Sequence, residues 1–331
     1  MRNFFQSHWK VILTLVLLIL AAALFLRPGP VSAAQELVER LHKHVDAIAW
    51  QEHNTRTPRS LESAAVYIET TLAEAGYRST RREYAAGGGR VHNIEASIGN
   101  VAQRERPERI FIVGAHYDPA QAVQAGSDNG SGMAAVLELA RLLHTMRPGA
   151  GTEVRFVFFL NEEPPWFMGE EMGGMAHPPG VKRQQQNVGE TQAPETTGYS
   201  TDTPGGRQLP AGLEGRYPDK GNFIAFVGTL ESSKRVREAL AAFRDASDFP
   251  AEGLAAPAHT TGVTLSDHTG YERLGYPALM ITQSTFMRYP YYQTYKDKAG
   301  DTPAKLDYEG MARVVTGLEK TIRAIAGAAR G

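Results

Sequence analysis

Hydrophobic and polar positions along the chain form two kinds of segment, continuous apolar runs and apolar repeats at helical spacing. Continuous apolar runs that end in polar residues predict central strands covered on both faces, at residues 109–118, 153–163, 222–228 and 277–282. Helical spacing predicts helices at residues 35–48, 60–75, 232–246 and 307–326. Two shorter stretches, 78–84 and 91–98, are typical of edge strands.

Another helix is predicted between the first two apolar runs, after the sequence "DNGSG". Its apolar residues repeat every three or four positions and form one buried stripe: Met133, Val136, Leu137, Ala140 and Leu143. Strands that alternate with helices predict an α/β fold, with a mixed, mostly parallel central sheet between layers of helices. Residues 35–331 are expected to form this domain.

Residues 176–220 do not fit the alternation. They are rich in Pro, Gly, Gln and Thr and show little periodicity. Because a loop of this length without structure is uncommon in a compact domain, the segment is expected to be irregular and either functional or damaged.

A hydrophobic segment precedes the domain. Arg2 and Lys10 lie before an unbroken apolar run at residues 11–26, which "RPGPVSAAQ" follows. The run is intermediate between a signal-peptide core and a membrane span, so residues 1–34 are expected to be a signal anchor or a cleaved signal peptide. Either interpretation predicts export, with the domain anchored at the membrane or released outside the cytoplasm.

Composition limits the kinds of partner and of metal site that this chain can have. Lys plus Arg (35) nearly balances Asp plus Glu (36), which gives no reason to expect nucleic acid as a partner and favours a small-molecule or peptide substrate. The chain has no cysteine, so disulfides, thiolate zinc sites and cysteine nucleophiles are excluded. Any metal site must therefore use His, Asp and Glu.

Those residue types collect where apolar strands end. His116 and Asp118 end one run, Glu162 and Glu163 end the next, and Asp128 lies in the loop before a helix. Ligands of open α/β sheets bind beyond the carboxyl ends of the strands, so these side chains are expected to meet in one crevice. Crowded carboxylates need raised pKa values or a cation, and one or two zinc ions would satisfy the cluster.

The spacing then suggests a mechanism. Asp128, on a short loop, would bridge two ions, with His116 bound to one and Glu163 to the other. Asp118 would hold the second ring nitrogen of His116. Glu162 is left as the general base that takes a proton from a metal-bound water, which then attacks a carbonyl as hydroxide.

Each feature also has an ordinary structural explanation. A histidine at a strand end is commonly just hydrogen-bonded, a pair of glutamates is commonly solvated surface, and "DNGSG" is often only a turn and a helix cap. Their occurrence at the same end of adjacent strands favours the metal site. No G-x-S-x-G and no H-E-x-x-H occurs, which argues against a serine hydrolase and a single-helix zinc protease.

In order along residues 40–327, "GAHYD", "SDNGSG", "NEE", "SDH" and "DTPAKLD" resemble the co-catalytic zinc exopeptidases. That family includes bacterial leucyl aminopeptidases, glutamate carboxypeptidase, glutaminyl cyclase and the transferrin receptor ectodomain. The resemblance implies ligand roles for His116, Asp128 and Glu163, with Glu162 as base. It implies a further ligand in "ETTGYSTD", where Glu195 is the candidate, and "SDH" is interpreted as support for the pocket.

The sequence departs from the family pattern in two places. Gln293 stands where the family has its last histidine ligand, and a neutral amide is a poorer ligand than an imidazole. The polar segment "GETQAPETTG", residues 189–198, occupies what should be an apolar strand; Pro194 cannot donate to a ladder, so Glu195 is expected to be poorly held. His177, in the irregular segment, is a candidate replacement ligand, although an ordinary loop histidine is the favoured interpretation.

Three functional hypotheses follow. The first is an exported zinc metallopeptidase that acts on peptides, most simply an aminopeptidase. The second is a catalytically impaired member that serves as a binding or structural protein, which Gln293 motivates. The third is a one-zinc acyltransferase of the cyclase kind, which uses the same fold.

Overall fold

The computed structural model of the 331-residue chain describes residues 8, 9, 13, 14, 32–205, 215–283, 287–294 and 300–327. Contacts divide the chain into a short unit, Met1–Glu36, and a large unit, Leu37–Gly331. None of the helices within the described ranges has both the length and the apolar character needed to cross a membrane. Apart from residues 13 and 14, the apolar run at 11–26 lies outside the described residues, and the predicted leader stays a prediction.

The described part of the chain alternates strands with helices. Its helices are α1 (Ala33–Ala49), α2 (Pro58–Glu74), α3 (Gly132–Leu143), α4 (Gly173–Arg183), α5 (Ser233–Ala246), α6 (His268–Arg273) and α7 (Tyr308–Ala326). Its strands are β1 (Thr80–Ala86), β2 (Gly89–Gly99), β3 (Arg109–His116), β4 (Thr152–Phe159), β5 (Val188–Glu195), β6 (Ile224–Thr229), β7 (Ala251–Ala256) and β8 (Ala278–Thr282).

All these strands join one sheet in the order β1-β2-β4-β3-β5-β8-β6-β7. The central strands β4, β3, β5 and β8 are parallel, whereas β1, β2 and β4 pair antiparallel, as do β8 and β6. The predicted fold class, a mixed and mostly parallel sheet between helices, is confirmed.

Alternate residues of the central strands lie in different hydrophobic cores, because successive side chains of a strand point to opposite faces of the sheet. Phe111 and Val113 of β3 join a large core with helices α1, α2, α3, α5 and α7. Ile110 and Ile112 face a smaller core with Val181 of α4. Both faces of the sheet are therefore covered, which explains why its central strands read as continuous apolar runs.

The strongly periodic segments form the predicted elements, within a few residues at each end. The prediction for residues 176–220 is wrong in its first half. Residues 173–183 form α4, and residues 188–195 form β5 in the middle of the sheet. Strand β7 and helix α6 were also missed, because the β7 sequence AEGLAA is not a continuous apolar run and the six residues of α6 are too few to show helical periodicity.

Strand β5 forms despite its polar sequence because it is paired on both sides, with β3 and with β8. Its pairing with β3 ends at Gln192, so Pro194 lies where its missing N–H deprives no strand of a donor. The Pro194 carbonyl instead accepts a hydrogen bond from Asn129 Nδ2 at 3.2 Å. Backbone pairing has thus overridden the unfavourable side chains.

Candidate metal centre

The carboxyl ends of three adjacent parallel strands bring the predicted residues together. His116 is the last residue of β3, Glu195 is the last residue of β5, and Glu162 and Glu163 follow β4. All four side chains are buried, as is that of Asp128. The crevice expected from the strand ends therefore exists, and it lies beside the β4-β3-β5 segment of the sheet.

His116 lies at the centre of this cluster. Its Nε2 atom is 3.4 Å from Asp128 Oδ1 and 3.3 Å from Glu195 Oε2. Potential ligand atoms of His116, Asp128 and Glu195 all lie within 4.8 Å of one another. Nε2 is buried without a hydrogen bond, although two carboxylates surround it.

The other ring nitrogen of His116 is fixed by the main chain. Nδ1 lies 2.9 Å from the carbonyl oxygen of Asp118, whereas the Asp118 carboxylate is 3.9 Å away. The carboxylate role predicted for Asp118 is therefore corrected: its main-chain carbonyl accepts the Nδ1 proton, which leaves Nε2 free as a ligand.

The Asp118 carboxylate has a different task. It accepts the main-chain N–H groups of Glu162 and Glu163, at 3.2 and 3.4 Å. These contacts set the loop that presents both glutamates after β4. Glu162 Oε2 then lies 3.8 Å from His116 Nε2, close to the cluster without a hydrogen bond to that ring.

The loop that carries Asp128 is an irregular helical turn, Gly126–Ser131. A β-carbon at Gly130 would collide with the Ala125 carbonyl oxygen, and one at Gly132 would collide with Asn129 Oδ1. The glycines of "DNGSG" are therefore required by close packing, which explains why this sequence precedes α3.

Asn129 and Ser266 hold Glu195, contrary to the expectation that this side chain is poorly held. Asn129 Nδ2 donates to Glu195 Oε2 at 3.1 Å, and the Ser266 hydroxyl donates to the same oxygen at 2.8 Å. Asn129 Oδ1 accepts the N–H groups of Gly132 and Thr196. The amide of Asn129 thereby ties the Asp128 loop to the end of β5.

Burial and mutual repulsion dominate the electrostatics of the cluster. Burial raises the pKa of Glu162 well above its ordinary value; the His116 imidazole opposes the shift, and the charges of Glu163 and Glu195 reinforce it. Burial likewise raises the pKa of Glu163, and the neighbouring Asp128 charge adds to the shift. Burial raises the pKa of Glu195 to about 7, an effect that His116 partly opposes. A cation in the cluster would relieve this repulsion.

Two other residues considered from the sequence, Asp267 and His177, lie in different parts of the fold. Asp267, next to Ser266, is fully buried, and neither of its carboxylate oxygens has a hydrogen-bond partner among the described residues. Burial raises the pKa of Asp267 to about 8. His177 is neither a metal ligand nor a loop residue. It lies on α4, with Nε2 3.0 Å from Glu95 and Nδ1 2.6 Å from the Tyr271 hydroxyl.

A cavity of about 200 Å³ opens onto the cluster. Its lining combines four acidic residues, Asp128, Glu162, Glu163 and Glu195, with apolar ones, Pro164, Phe167, Leu265 and Met280. Among the described residues that line it there is no lysine or arginine. The cavity is large enough for a single amino-acid side chain.

The residues present fit a divalent metal. An imidazole nitrogen without a hydrogen bond points at two carboxylates, its partner nitrogen is fixed by a carbonyl, and no cysteine is available. Imidazole and carboxylate donors at such separations suit zinc.

Comparison with known proteins agrees with this geometry. The model of peptidase family M28 matches residues 93–179, which contain His116, Asp128, Glu162 and Glu163. The uncharacterized protein YfbL of Escherichia coli K12 is 34% identical over 295 residues, covering 85% of this chain and 86% of YfbL. The chain belongs to peptidase family M28. The resemblance to the co-catalytic zinc exopeptidases is thereby confirmed.

Solved structures share the fold of this M28 member at low identity. An aminopeptidase from Aneurinibacillus sp. strain AM-1 superposes with a TM-score of 0.66 at 14% identity, over 88% of this chain and 95% of that one. A Zn-dependent exopeptidase from Parabacteroides distasonis gives a TM-score of 0.62 at 17% identity, over 86% and 97% of the two chains. These superpositions show a shared fold, and the membership of peptidase family M28 supports a metallopeptidase-type hydrolase.

Proposed function

We propose that this M28 chain is an exported zinc aminopeptidase. The convergence of His116, Asp128 and Glu195 around one unpartnered imidazole nitrogen carries the proposal. The chemistry that zinc supplies in such a site is Lewis-acid polarisation of a carbonyl and acidification of water.

The chain's own residues have separable tasks in this reaction. Asp118 orients the His116 ring through its main-chain carbonyl, and Asn129 orients the Glu195 carboxylate. Glu162 is the general base: its carboxylate takes the proton of the attacking water and returns it to the leaving amine. Burial raises the pKa of Glu162, which makes its carboxylate a stronger proton acceptor than an exposed glutamate.

The cavity favours a free amino terminus over a free carboxylate. Asp128, Glu162, Glu163 and Glu195 line it without a lysine or arginine among the described lining residues, so it offers acceptors for an ammonium group and no side-chain cation for a carboxylate. A carboxypeptidase would need a cation for the substrate's terminal carboxylate, and the described lining residues offer none. The apolar lining residues would then contact the side chain of the peptide's first residue.

Hydrolysis of amino-acid anilides by the purified chain tests the proposal. We expect release of aniline from leucine anilide, no release from the N-acetylated analogue, and loss of activity with a chelator that added zinc reverses. A zinc-loaded chain that cleaves neither compound would support the catalytically impaired alternative. Ring closure of glutaminyl peptides without peptide-bond cleavage would support the cyclase hypothesis instead.

The export part of the proposal is supported by the apolar run at residues 11–26 alone. It predicts that protease added to intact spheroplasts degrades the domain, or that the domain is recovered in the periplasmic or secreted fraction. Recovery of the whole chain in the cytosolic fraction would reject it.

A further inference from the structure

The amide of Gln293 contacts the carboxylate oxygen of Asp128 that is not paired with His116. Its Nε2 atom is 3.3 Å from Asp128 Oδ2, and 3.0 and 3.3 Å from the two carboxylate oxygens of Glu163. Ionised carboxylate oxygens only accept hydrogen bonds, so the end of the amide that faces ionised Asp128 and Glu163 is the NH₂ donor. This end has no lone pair to offer a metal.

The backbone holds the amide in this position. Gln293 has a φ angle of 48°, in the left-handed region that residues other than glycine uncommonly adopt. Its neighbour Tyr292 lines the same cavity, and the Tyr292 hydroxyl oxygen is 3.2 Å from Gln293 Nε2. Such backbone conformations concentrate at functional sites.

The two oxygens of Asp128 therefore have different partners. Oδ1 lies beside His116 Nε2, within the ligand group that also contains Glu195. Oδ2 accepts from the Gln293 amide instead. Within the described part of the chain, this ligand group is the only one formed by three or more His, Asp or Glu side chains.

Among the described residues, a second ion on the Gln293 side would have only Asp128 and Glu163 as anionic ligands. The amide donates to both of these carboxylates, and its partial positive charge reduces the repulsion that a second cation would otherwise neutralise. A histidine at position 293 would instead offer a lone pair between them.

We propose that this centre holds one divalent ion, on the side of His116, Asp128 and Glu195, and that the Gln293 amide takes the place of a second. The inference rests on the proposed function for the existence of the metal site. It adds that Asp128 is not a bridge between two metals, because its second oxygen is hydrogen-bonded. It also gives Glu163 a hydrogen-bonding role in place of a ligand role.

Metal counting tests the inference without reference to activity. Metal-free full-length chain is titrated with Co²⁺ while visible absorption is recorded, and zinc in the reloaded, desalted protein is measured by elemental analysis. We expect one equivalent in both measurements. Two equivalents would overturn the one-ion inference but leave the metallopeptidase proposal standing, whereas no bound metal would overturn both.

Variants of position 293 test the role of the amide. Gln293→His is expected to raise the count from one to two equivalents, and a count that stays at one would overturn the role assigned to the amide. Gln293→Met is the matched control, with similar length but neither donors nor an imidazole, and it should still hold one ion.

Variants of the two sides locate the ion. Glu163→Gln should keep one equivalent, and His116→Gln should lose it; circular dichroism checks that each variant is folded. Loss of the ion from Glu163→Gln, with retention in His116→Gln, would place the metal on the Gln293 side and overturn the inference.

Discussion

One carboxylate oxygen of Asp301 accepts the main-chain N–H of Asp128 at 2.9 Å. The same carboxylate accepts the N–H of Ser127 at 2.8 Å and the hydroxyl of Tyr289 at 2.8 Å. Asp301 is fully buried and lies 173 residues away in the sequence. It thus connects the segment that follows β8 to the loop that presents a candidate ligand.

This connection predicts that Asp301→Ala weakens metal binding without removing a ligand. The N–H groups of Ser127 and Asp128 would lose their carboxylate acceptor, so the Asp128 loop should relax. We expect metal affinity to fall roughly 10- to 100-fold, as for other outer partners of metal ligands. We also expect the free energy of unfolding to fall by about 2–4 kcal/mol. Competition with a chromophoric chelator and urea unfolding measure the two effects.

Asp248→Asn provides the control, because this carboxylate is exposed and pairs only with Arg313. Its metal affinity should equal that of the unmodified chain. If Asp301→Ala bound metal as tightly as this control, the positioning role of Asp301 would be rejected.

Glu162→Gln should abolish turnover while metal content is retained. The amide has nearly the shape of the carboxylate but cannot take a proton from water, and general-base catalysis contributes about 10²- to 10⁴-fold to rate. Anilide hydrolysis measures turnover and elemental analysis of the same preparation measures metal content. Activity within threefold of the unmodified chain would exclude Glu162 as the base.

Glu190 should make the fold less stable as pH rises. Burial raises its pKa to about 7, which the hydrogen bond from Gln192 only partly opposes, and Glu190 Oε2 has no partner among the described residues. The folded chain then binds a proton that the unfolded chain releases at its ordinary pKa. Stability is lost as pH rises from about 4.5 to 7 and stays low above that range.

Glu190→Gln should therefore stabilise the chain by up to about 3 kcal/mol at pH 8 and have little effect at pH 4. Urea unfolding at the two pH values gives the difference. Glu105→Gln, at an exposed position, should show no such pH dependence. Equal effects of Glu190→Gln at both pH values would contradict the buried, protonated state.

Glu95 should stabilise the fold at neutral pH and stop doing so in acid. Burial alone would raise its pKa, but hydrogen bonds from His177 and Arg82 and the charge of Arg155 outweigh burial and hold the pKa at about 2. Because the folded pKa lies below the ordinary value, the stabilisation is complete above about pH 4.5. It disappears as pH falls through about 2.

Glu95→Gln is expected to lower the free energy of unfolding by about 2 kcal/mol at pH 7 and by almost nothing near pH 2. The pH 7 figure is discounted for solvent screening because Arg82 is half exposed. Thermal unfolding of both chains across this pH range measures the difference in stability. Glu83→Gln removes an exposed pair with Arg90 and should change stability by less than about 0.5 kcal/mol. A Glu95→Gln cost that did not shrink in acid would count against this network.

Strand ends explain why much of the candidate site could be predicted. His116, Glu162 and Glu163 follow long apolar runs, and a parallel sheet places the ends of such runs at one edge. Glu195 was identified only through the resemblance, because β5 has no apolar signal. Asp301 and Asn129 were missed as positioning residues, since a carboxylate or an amide that binds a distant main chain has no local pattern.

The sequence by itself determined the fold class, the resemblance to the co-catalytic zinc exopeptidases and most of the acidic cluster, because hydrophobic periodicity and short-range order of polar residues are local properties of the chain. Only the tertiary structure decided that the polar segment becomes central strand β5 and that the Asp118 carbonyl orients His116. It also decided that the Gln293 amide lies against Asp128 and Glu163. These outcomes depend on strand pairing and on hydrogen bonds between residues far apart in the chain, whose energies cannot be assigned until the partners are adjacent in space.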